Sequence, residues 1–269
     1  YCMGEILYQY RRNQGSSRYV WHQLMIWSIT THPLLDIFTS YGTQLFWPFT
    51  NWRVASSSVS VVDPFYTMPL LAILLYAYKN TTSEKIWKTN NFFLVLTTAY
   101  LFWGGYTAVQ AKDYALQALT PQLSKKEWQL QVHKTFGQIF LHRVLLRTEK
   151  EVKIGYTSTW KPKSITWETY PIHKHKCWID IQQNPQVKLF QWFSGITYPE
   201  LDAATNTYRI YDLRYGFKGL SNKGFWGITV SFDPKSCRIL EPVTRFQNRP
   251  DRTQWLNGIQ KIYQMAFDG

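Results

Sequence analysis

The chain has 269 residues, of which 17% are aromatic, including 13 Trp and 18 Tyr. This aromatic content is well above that of an ordinary soluble protein, and the length suits one or two domains with a buried core. Three cysteines without a Cys-x-x-Cys pair exclude a disulfide framework. Cys177 and Cys237 would be able to pair in an oxidising compartment, but their spacing does not decide whether they do.

Charge is distributed unevenly along the chain. The formal net charge is +13, and residues 111–269 contain 23 of the 30 basic and 13 of the 17 acidic residues, a net charge of +10. Residues 1–110 contain long apolar runs and few charges. We therefore predict a transmembrane helical region over residues 1–110 and a basic, soluble α+β domain over residues 111–269.

Three apolar runs in the first region predict about three membrane helices, at residues 20–46, 64–78 and 92–109. Trp and Tyr cluster near the ends of these runs, as is typical of membrane interfaces. Basic residues precede the first run and separate the second from the third, whereas Arg53 alone lies between the first two. The positive-inside rule then predicts a multi-pass protein whose C-terminal domain is periplasmic.

The second region contains both strand and helix patterns. Alternating residues separated by a charged turn predict strands at 140–147 and 151–156. Further strands are expected at 207–213 and 224–232, and helices at 112–119, 187–194 and 253–267.

Polar residues recur within the first apolar run. If the run is helical, Ser28, His32, Asp36, Thr39 and Thr43 fall within an arc of roughly 60°. Burying a carboxylate and an imidazole in apolar surroundings is costly unless a partner satisfies them. A bound cation or a substrate would do so, and so would a hydrogen-bonded pair that only orients two helices.

Asp63 lies immediately before Pro64 at the start of the second run. Its carboxylate would be able to approach the polar residues of the first run if the intervening loop folds back. Alternatively, Asp63 is an N-cap followed by proline at the first helical position.

Two stretches form a specific pattern, His32-Pro-Leu-Leu-Asp36-x-x-Thr39-Ser-Tyr-Gly42-Thr43 and Val62-Asp63-Pro64. This pattern resembles a bacterial family of inner-membrane proteins, the LexA-regulated type, described as metal-dependent hydrolases. Weaker likenesses to the family's C-terminal region are Arg143-Val-Leu-Leu-Arg-Thr, Gln191-Trp-Phe-Ser194 and Tyr211-Asp-Leu-Arg-Tyr215.

The resemblance implies a metal site with His32, Asp36 and Asp63 as ligands. Three such ligands and a water suit zinc or another divalent ion, and the metal-activated water would attack an ester or phosphoester. Thr39 and Thr43 would hydrogen-bond a ligand carboxylate. A site on membrane helices favours a lipid or lipid-linked substrate.

One departure from the family concerns an upstream histidine-rich motif, which does not occur before His32. Because the chain starts at Tyr1 rather than Met, we expect it to begin inside a longer protein. The motif is then either outside this chain or lost together with the metal site.

Two further patterns bear on metal and partner binding. His173, His175 and Cys177 would share one face of a strand and could hold zinc, but the interleaved lysines favour an exposed polar strand. The dispersed basic residues match no nucleic-acid motif, so we expect membrane lipids and no nucleic acid as partners. The alternative to a hydrolase is a non-enzymatic membrane protein whose basic domain binds lipid headgroups or a protein.

Overall fold

The N-terminal part of the protein is helical, and the C-terminal part contains two antiparallel sheets and three helices. A computed structural model describes residues 2–11, 15, 17–80, 85–119, 128–162 and 164–268.

The first two helices pack against each other. They are α1 (Cys2–Arg11) and α2 (Arg18–Asp36). Glu5 on α1 accepts two hydrogen bonds from the Arg18 guanidinium, both at 2.6 Å. The Ser17 hydroxyl caps the start of α2 by accepting a hydrogen bond from a backbone N–H of its first turn.

The next two helices, α3 (Pro64–Lys79) and α4 (Lys85–Leu119), also pack on each other. Asp63 is the N-cap of α3, with proline at the first helical position. The buried residues of α4 recur every three or four positions and so form one stripe along the helix: Thr97, Leu101, Gly104, Thr107, Ala111, Ala115 and Leu119.

The predicted three-helix membrane region is wrong. Among the described helices, α4 alone is long and apolar enough to cross a membrane, and 22% of its most apolar stretch is buried in the protein. The helix α2 ends at Asp36, ten residues before the predicted end of the first span. The helix α3 has 16 residues and is therefore about 24 Å long, shorter than the hydrocarbon core of a bilayer. A multi-pass arrangement is therefore not supported.

Residues 37–63, named here the crossing loop, connect α2 to α3 and contact the C-terminal part of the chain. Thr43 and Val54 exchange two backbone hydrogen bonds of 2.9 Å, which close the middle of the loop. Arg53 donates to the carbonyl oxygen of Phe193, and Arg214 donates to that of Ser40 at 3.5 Å.

The first sheet is an antiparallel meander on which α4 packs. Thr148 closes the turn between its second and third strands by accepting a hydrogen bond from the Glu151 N–H at 3.1 Å. The C-terminal helix α7 (Arg252–Phe267) also packs on this sheet. The four strands, in spatial order, are β1 (Gln129–Lys134), β2 (Leu141–Arg147), β3 (Glu151–Ser158) and β4 (Glu168–Pro171).

The second sheet is also a four-stranded antiparallel meander, so the C-terminal half is built on two such sheets. Helices α5 (Trp178–Gln183) and α6 (Pro185–Ser194) share an apolar core with it. A disulfide between Cys177 and Cys237 closes this core. The strands are β5 (Thr197–Asp202), β6 (Thr207–Asp212), β7 (Trp226–Ser231) and β8 (Thr244–Gln247).

The two sheets share a buried cluster. Leu145 and Ile154 of the first sheet lie in the same cluster as Ile196 and Leu213, which flank strands of the second sheet. The two sheets therefore pack together through a shared apolar core. Helix α4 packs on the first sheet, and the crossing loop contacts residues next to the second sheet.

Candidate functional site

Two of the predicted metal ligands lie on the surface of α2. His32 Nε2 is 3.7 Å from Asp36 Oδ2, and the two side chains are 78% and 44% exposed. Exposed groups of this kind are already satisfied by water, so the desolvation cost that suggested a ligand does not arise here.

The helical polar stripe ends at Asp36, and its extension to Thr39 and Thr43 is wrong. Thr39 donates to the backbone carbonyl of Asp36 at 2.8 Å, and Thr43 pairs with Val54 in the crossing loop. The suggested hydrogen bonds from these two threonines to a ligand carboxylate stay a prediction.

Asp63 has the capping role that the sequence left open. Its Oδ1 accepts from the backbone N–H of Phe65 at 3.0 Å and of Tyr66 at 3.4 Å. Tyr100 of α4 donates to both carboxylate oxygens, at 3.0 and 3.1 Å. The carboxylate is therefore engaged by α3 and α4.

The described residues contain no group of three or more His, Cys, Asp and Glu side chains that could hold a metal ion. His32, Asp36 and Asp63 are not brought together in such a group, so the chain as described does not fit the expected three-ligand site. The assignment of these ligands and of a divalent ion such as zinc stays a prediction.

The second candidate metal pattern, at residues 173–177, is not on a strand. The strand β4 ends at Pro171, and Cys177 is bonded to Cys237. His175 Nδ1 accepts a hydrogen bond from the backbone N–H of Cys177 at 3.2 Å. The predicted strand is therefore wrong, and the Cys177 sulfur is used by the disulfide.

A cavity of about 910 Å³ lies where α4, the crossing loop and the C-terminal part meet. We name it the α4 cavity. One wall comes from α4 and is mainly apolar, although Lys112 also lines it, and the other elements supply a polar wall with basic and hydroxyl groups. Its principal lining residues are Leu101, Phe102, Gly105 and Val109 of α4, Arg53, Ser57 and Ser58 of the crossing loop, and Gln131, His133, Ser194 and Arg214.

Two guanidinium groups at the polar wall contact the ring of Phe193. The distances from Cζ to the ring centroid are 5.0 Å for Arg53 and 4.6 Å for Arg214. Arg214 is buried and paired with the buried Asp212, at 2.6 Å between Nη2 and Oδ2. Arg53 has no carboxylate partner among the described residues, and burial together with the charge of Arg214 lowers its pKa.

Two polar atoms beside the cavity lack hydrogen-bond partners within the described chain. They are Nη1 of Arg53 and Oγ of Ser194, both buried. Ser194 is fully buried, at 0% exposure. Because an unsatisfied buried donor costs free energy, this wall is suited to an acceptor supplied by a ligand.

A serine and a histidine that line the cavity contact each other. Ser57 Oγ is 3.2 Å from His133 Nδ1, and His133 Nε2 is 3.1 Å from Gln131 Oε1. An amide oxygen only accepts, so the imidazole proton is on Nε2 and Nδ1 accepts from Ser57. Burial, together with the charges of Arg214 and Arg143, lowers the pKa of His133 to about 3.

Close packing against Gly104 of α4 fixes the position of the loop that contains Ser57 and Ser58. A Cβ atom on Gly104 would lie 2.0 Å from the carbonyl oxygen of Ser58, so only glycine allows the loop to approach α4 this closely. Ser56 Oγ also lies 2.8 Å from Ser58 Oγ. The sequence does not mark these serines as site residues, because a run of serines has no recognisable spacing.

Some residues of the cavity do occur in stretches that the sequence analysis singled out. The stretch Gln191-Trp-Phe-Ser194 supplies the lining residues Trp192 and Ser194, and Tyr211-Asp-Leu-Arg-Tyr215 supplies Arg214. Phe193 and Asp212 of the same stretches contact Arg214. Arg53 was interpreted only as a loop charge. The arrangement of these residues depends on contacts between distant segments, which spacing alone does not reveal.

By length and composition α4 would be able to span a bilayer, and it is followed by a disulfide-bonded part with two sheets. Residues 2–111 match the family model described as YdjM inner membrane protein. This match supports a location in the inner membrane. No curated protein and no solved structure matches the chain.

Proposed function

We propose that this inner-membrane protein binds an anionic phospholipid in the α4 cavity. The observation that carries the proposal is Arg53, a half-buried cation without a carboxylate partner among the described residues, with a buried unpartnered Nη1. A guanidinium removed from water is unfavourable unless an anion compensates it. Phosphate oxygens match its geometry and form charge-assisted hydrogen bonds with it.

The other wall of the cavity favours a lipid over a free headgroup. Leu101, Phe102 and Val109 line it, and they belong to the helix that is able to cross a membrane. The volume of about 910 Å³ lies near the upper end of the range for small-molecule pockets. One acyl chain would lie along α4, with its phosphate next to Arg53 and the Ser194 hydroxyl.

Exposed aromatic residues of the crossing loop support a position at the membrane surface. They immediately precede Arg53 in the chain, and Trp side chains are favoured at the interface between lipid and water. The residues are Phe46, Trp47, Phe49 and Trp52, which are exposed by 50–93%.

A titration of detergent-purified protein with phosphatidylglycerol, with phosphatidylcholine of the same acyl chains, and with soluble glycerol phosphate tests this proposal. We expect phosphatidylglycerol to bind most tightly. Arg53→Gln should weaken that binding about tenfold or more, because it removes a charge-assisted hydrogen bond. Arg238→Gln is the matched control, since it removes the same charge from a position outside the cavity and should leave binding unchanged.

Three results would contradict the proposal. The first is equal binding of the two lipids, which would show that the headgroup charge is not recognised. The second is glycerol phosphate binding as tightly as the lipid, which would identify a phosphate site without lipid specificity. The third is unchanged binding by Arg53→Gln when its thermal unfolding matches that of the unmodified protein.

The disulfide supports a periplasmic location of the C-terminal part as a second element of the proposal, because such bonds persist in oxidising compartments. Cys2 is a free, exposed cysteine, so the three cysteines give a simple assay. Protein denatured directly from cells without reductant should react with one equivalent of a mass-tagged maleimide, and with three after reduction. Three tags without reductant would contradict the periplasmic assignment.

Hydrolysis by a metal-activated water, implied by the resemblance, has no support from the residues of this cavity. The described residues do not assemble the three-ligand set, and none of the predicted ligands lines the cavity. The proposed binding of an anionic lipid shares headgroup recognition with the alternative, a non-enzymatic membrane protein whose basic domain binds lipid headgroups or a protein.

A further inference from the structure

The lining of the α4 cavity contains an arrangement that lipid binding does not need. Ser57 Oγ, His133 and the Gln131 amide form a hydrogen-bonded chain of 3.2 and 3.1 Å. Ser57 and His133 are both buried, at 7% and 6% exposure, and both line the cavity. The arrangement is that of a hydroxyl beside a neutral, orientated base.

The backbone at Ser57 is held in an unusual conformation. Its φ is +49°, in the left-handed region that residues other than glycine rarely adopt. Backbone hydrogen bonds on both sides fix it, from Ser56 N–H to Ile37 O at 2.7 Å and from Val59 N–H to Phe38 O at 3.0 Å. Strained residues of this kind are concentrated at functional sites, where the surrounding structure maintains them.

The histidine has the protonation state that a base requires. With its proton on Nε2 directed to Gln131, the Nδ1 atom is free to accept the proton of Ser57. The charge of Arg214 is one of the causes that lower the pKa of His133. An anionic lipid bound at the same wall would offset that charge and so make the imidazole a stronger base.

We propose that Ser57 is the nucleophile and His133 the general base of a carboxylic ester hydrolase, whose substrate is an acyl ester of the anionic lipid. This inference rests on the proposed lipid binding for its substrate. Ser57 and His133 are the catalytic residues, and Gln131 is a positioning residue that sets the imidazole tautomer. Arg53 and Arg214 line the same cavity and favour negative charge developing on the ester oxygen.

The reaction consumes one water and balances without a further reactant. Ser57 Oγ attacks the ester carbonyl carbon while its proton passes to His133 Nδ1. The bond from the carbonyl carbon to the alcohol oxygen breaks, and the departing alcohol takes that proton, which leaves an acyl group on Ser57. Water then attacks the acyl group and gives a proton to His133, which returns it to Ser57 as the fatty acid departs.

Labelling of the detergent-purified full chain with a fluorophosphonate probe, followed by peptide mass spectrometry, tests the assignment. We expect a stoichiometric adduct on Ser57, and loss of labelling in both Ser57→Ala and Ser57→Gly. The glycine variant guards against a folding artefact, since glycine adopts positive φ without strain. Ser56→Ala is the matched control and should label normally, because its hydroxyl bonds to Ile37 and Ser58 rather than to His133.

Two further variants separate chemistry from structure. His133→Gln should lower the labelling rate by about a hundredfold, within the range for general base catalysis. Gln131→Leu should fold normally but shift the pH profile of labelling, because the imidazole tautomer is no longer fixed.

Two results would refute the assignment of Ser57 as the nucleophile without contradicting lipid binding. They are labelling at another residue, and no labelling of a protein that still binds phosphatidylglycerol. Labelling of Ser57 by the probe without any binding of anionic lipid would instead refute the proposed lipid and the substrate inferred from it. An adduct on Ser57 together with release of fatty acid from phosphatidylglycerol is the result expected for the whole proposal.

Discussion

Replacement of Gly104 by alanine measures how closely α4 packs on the crossing loop. The added Cβ would lie 2.0 Å from the carbonyl oxygen of Ser58 and 2.9 Å from its carbonyl carbon. An ordinary contact between carbon and oxygen is about 3.3 Å, so the loop must move by roughly 1.3 Å. Overpacking typically costs about 1–3 kcal/mol, and the upper part of that range, about 2–3 kcal/mol, applies here. The atoms in the way are backbone atoms of Ser58, which cannot rotate aside.

Helix propensity acts in the opposite direction. Alanine is favoured over glycine in a helix interior by about 1 kcal/mol. The net loss of unfolding free energy should therefore be about 1–2 kcal/mol for Gly104→Ala, or roughly 2–8 °C in Tm for a chain of this size. Displacement of Ser58 would also move Ser57 away from His133, so fluorophosphonate labelling should slow.

Thermal unfolding in detergent, followed by tryptophan fluorescence, measures this difference. Gly105→Ala is the matched control on the next position of α4. Its Cβ would meet only the Ser58 side chain, with Oγ at 3.1 Å and Cβ at 3.9 Å, and the hydroxyl is able to rotate away. A Tm for Gly104→Ala equal to or above that of the unmodified protein would refute the close packing described here.

Three further results are expected. Cys237→Ser removes the disulfide to Cys177, which joins residues 60 positions apart in the sequence. Its loss should lower the unfolding free energy by about 4 kcal/mol, as measured by denaturant titration without reductant. An unchanged unfolding midpoint would contradict the presence of the disulfide. The pKa of His133 is lowered to about 3 in the folded protein, so between pH 6.5 and pH 3 the imidazole is protonated only in the unfolded state. The unfolding free energy should therefore fall as the pH drops below about 6.5, by about 2 kcal/mol at pH 5. His133→Gln should flatten that dependence, and an equally steep slope would refute the cause. Asp63→Ala should lose about 0.5–2 kcal/mol through the cap of α3, whereas Asp63→Asn keeps an acceptor and should lose less by the same thermal assay.

Much of the C-terminal secondary structure could be predicted from the sequence. Alternation on either side of a charged turn identified the strands that became β2 and β3, and the predicted helix at 253–267 matches α7 within one residue at its start. Short elements such as β4 and β8, with four residues each, carry too little periodicity to be found. Local patterns therefore indicated the elements but not the two-sheet arrangement.

The N-terminal region shows why apolar composition was misleading. The run at 20–46 was interpreted as one span, although its helix ends at Asp36 and the following residues fold onto the C-terminal part. The mean hydropathy of a sequence window does not show that the helix ends at Asp36. The division of the chain at residues 110 and 111 stays a prediction, and α4 continues without interruption from Lys85 to Leu119.

The candidate site could not be predicted because its parts are far apart in the sequence. Ser57 and His133 are separated by 76 positions, and Ser40 and Arg214 by 174. Motif spacing is informative when one element supplies the ligands, as it was assumed to do for His32 and Asp36. Tertiary contacts, rather than a local motif, assemble the α4 cavity.

The family match ends at residue 111, inside α4, and the cavity draws its walls from both sides of that position. Arg53 and Ser57 come from the matched part, whereas His133, Ser194 and Arg214 come from the part that follows. A fragment containing only the matched part would have Ser57 without His133 and Arg53 without Arg214. The compartment therefore exists only in a chain that contains both parts, and α4 is the element that joins them.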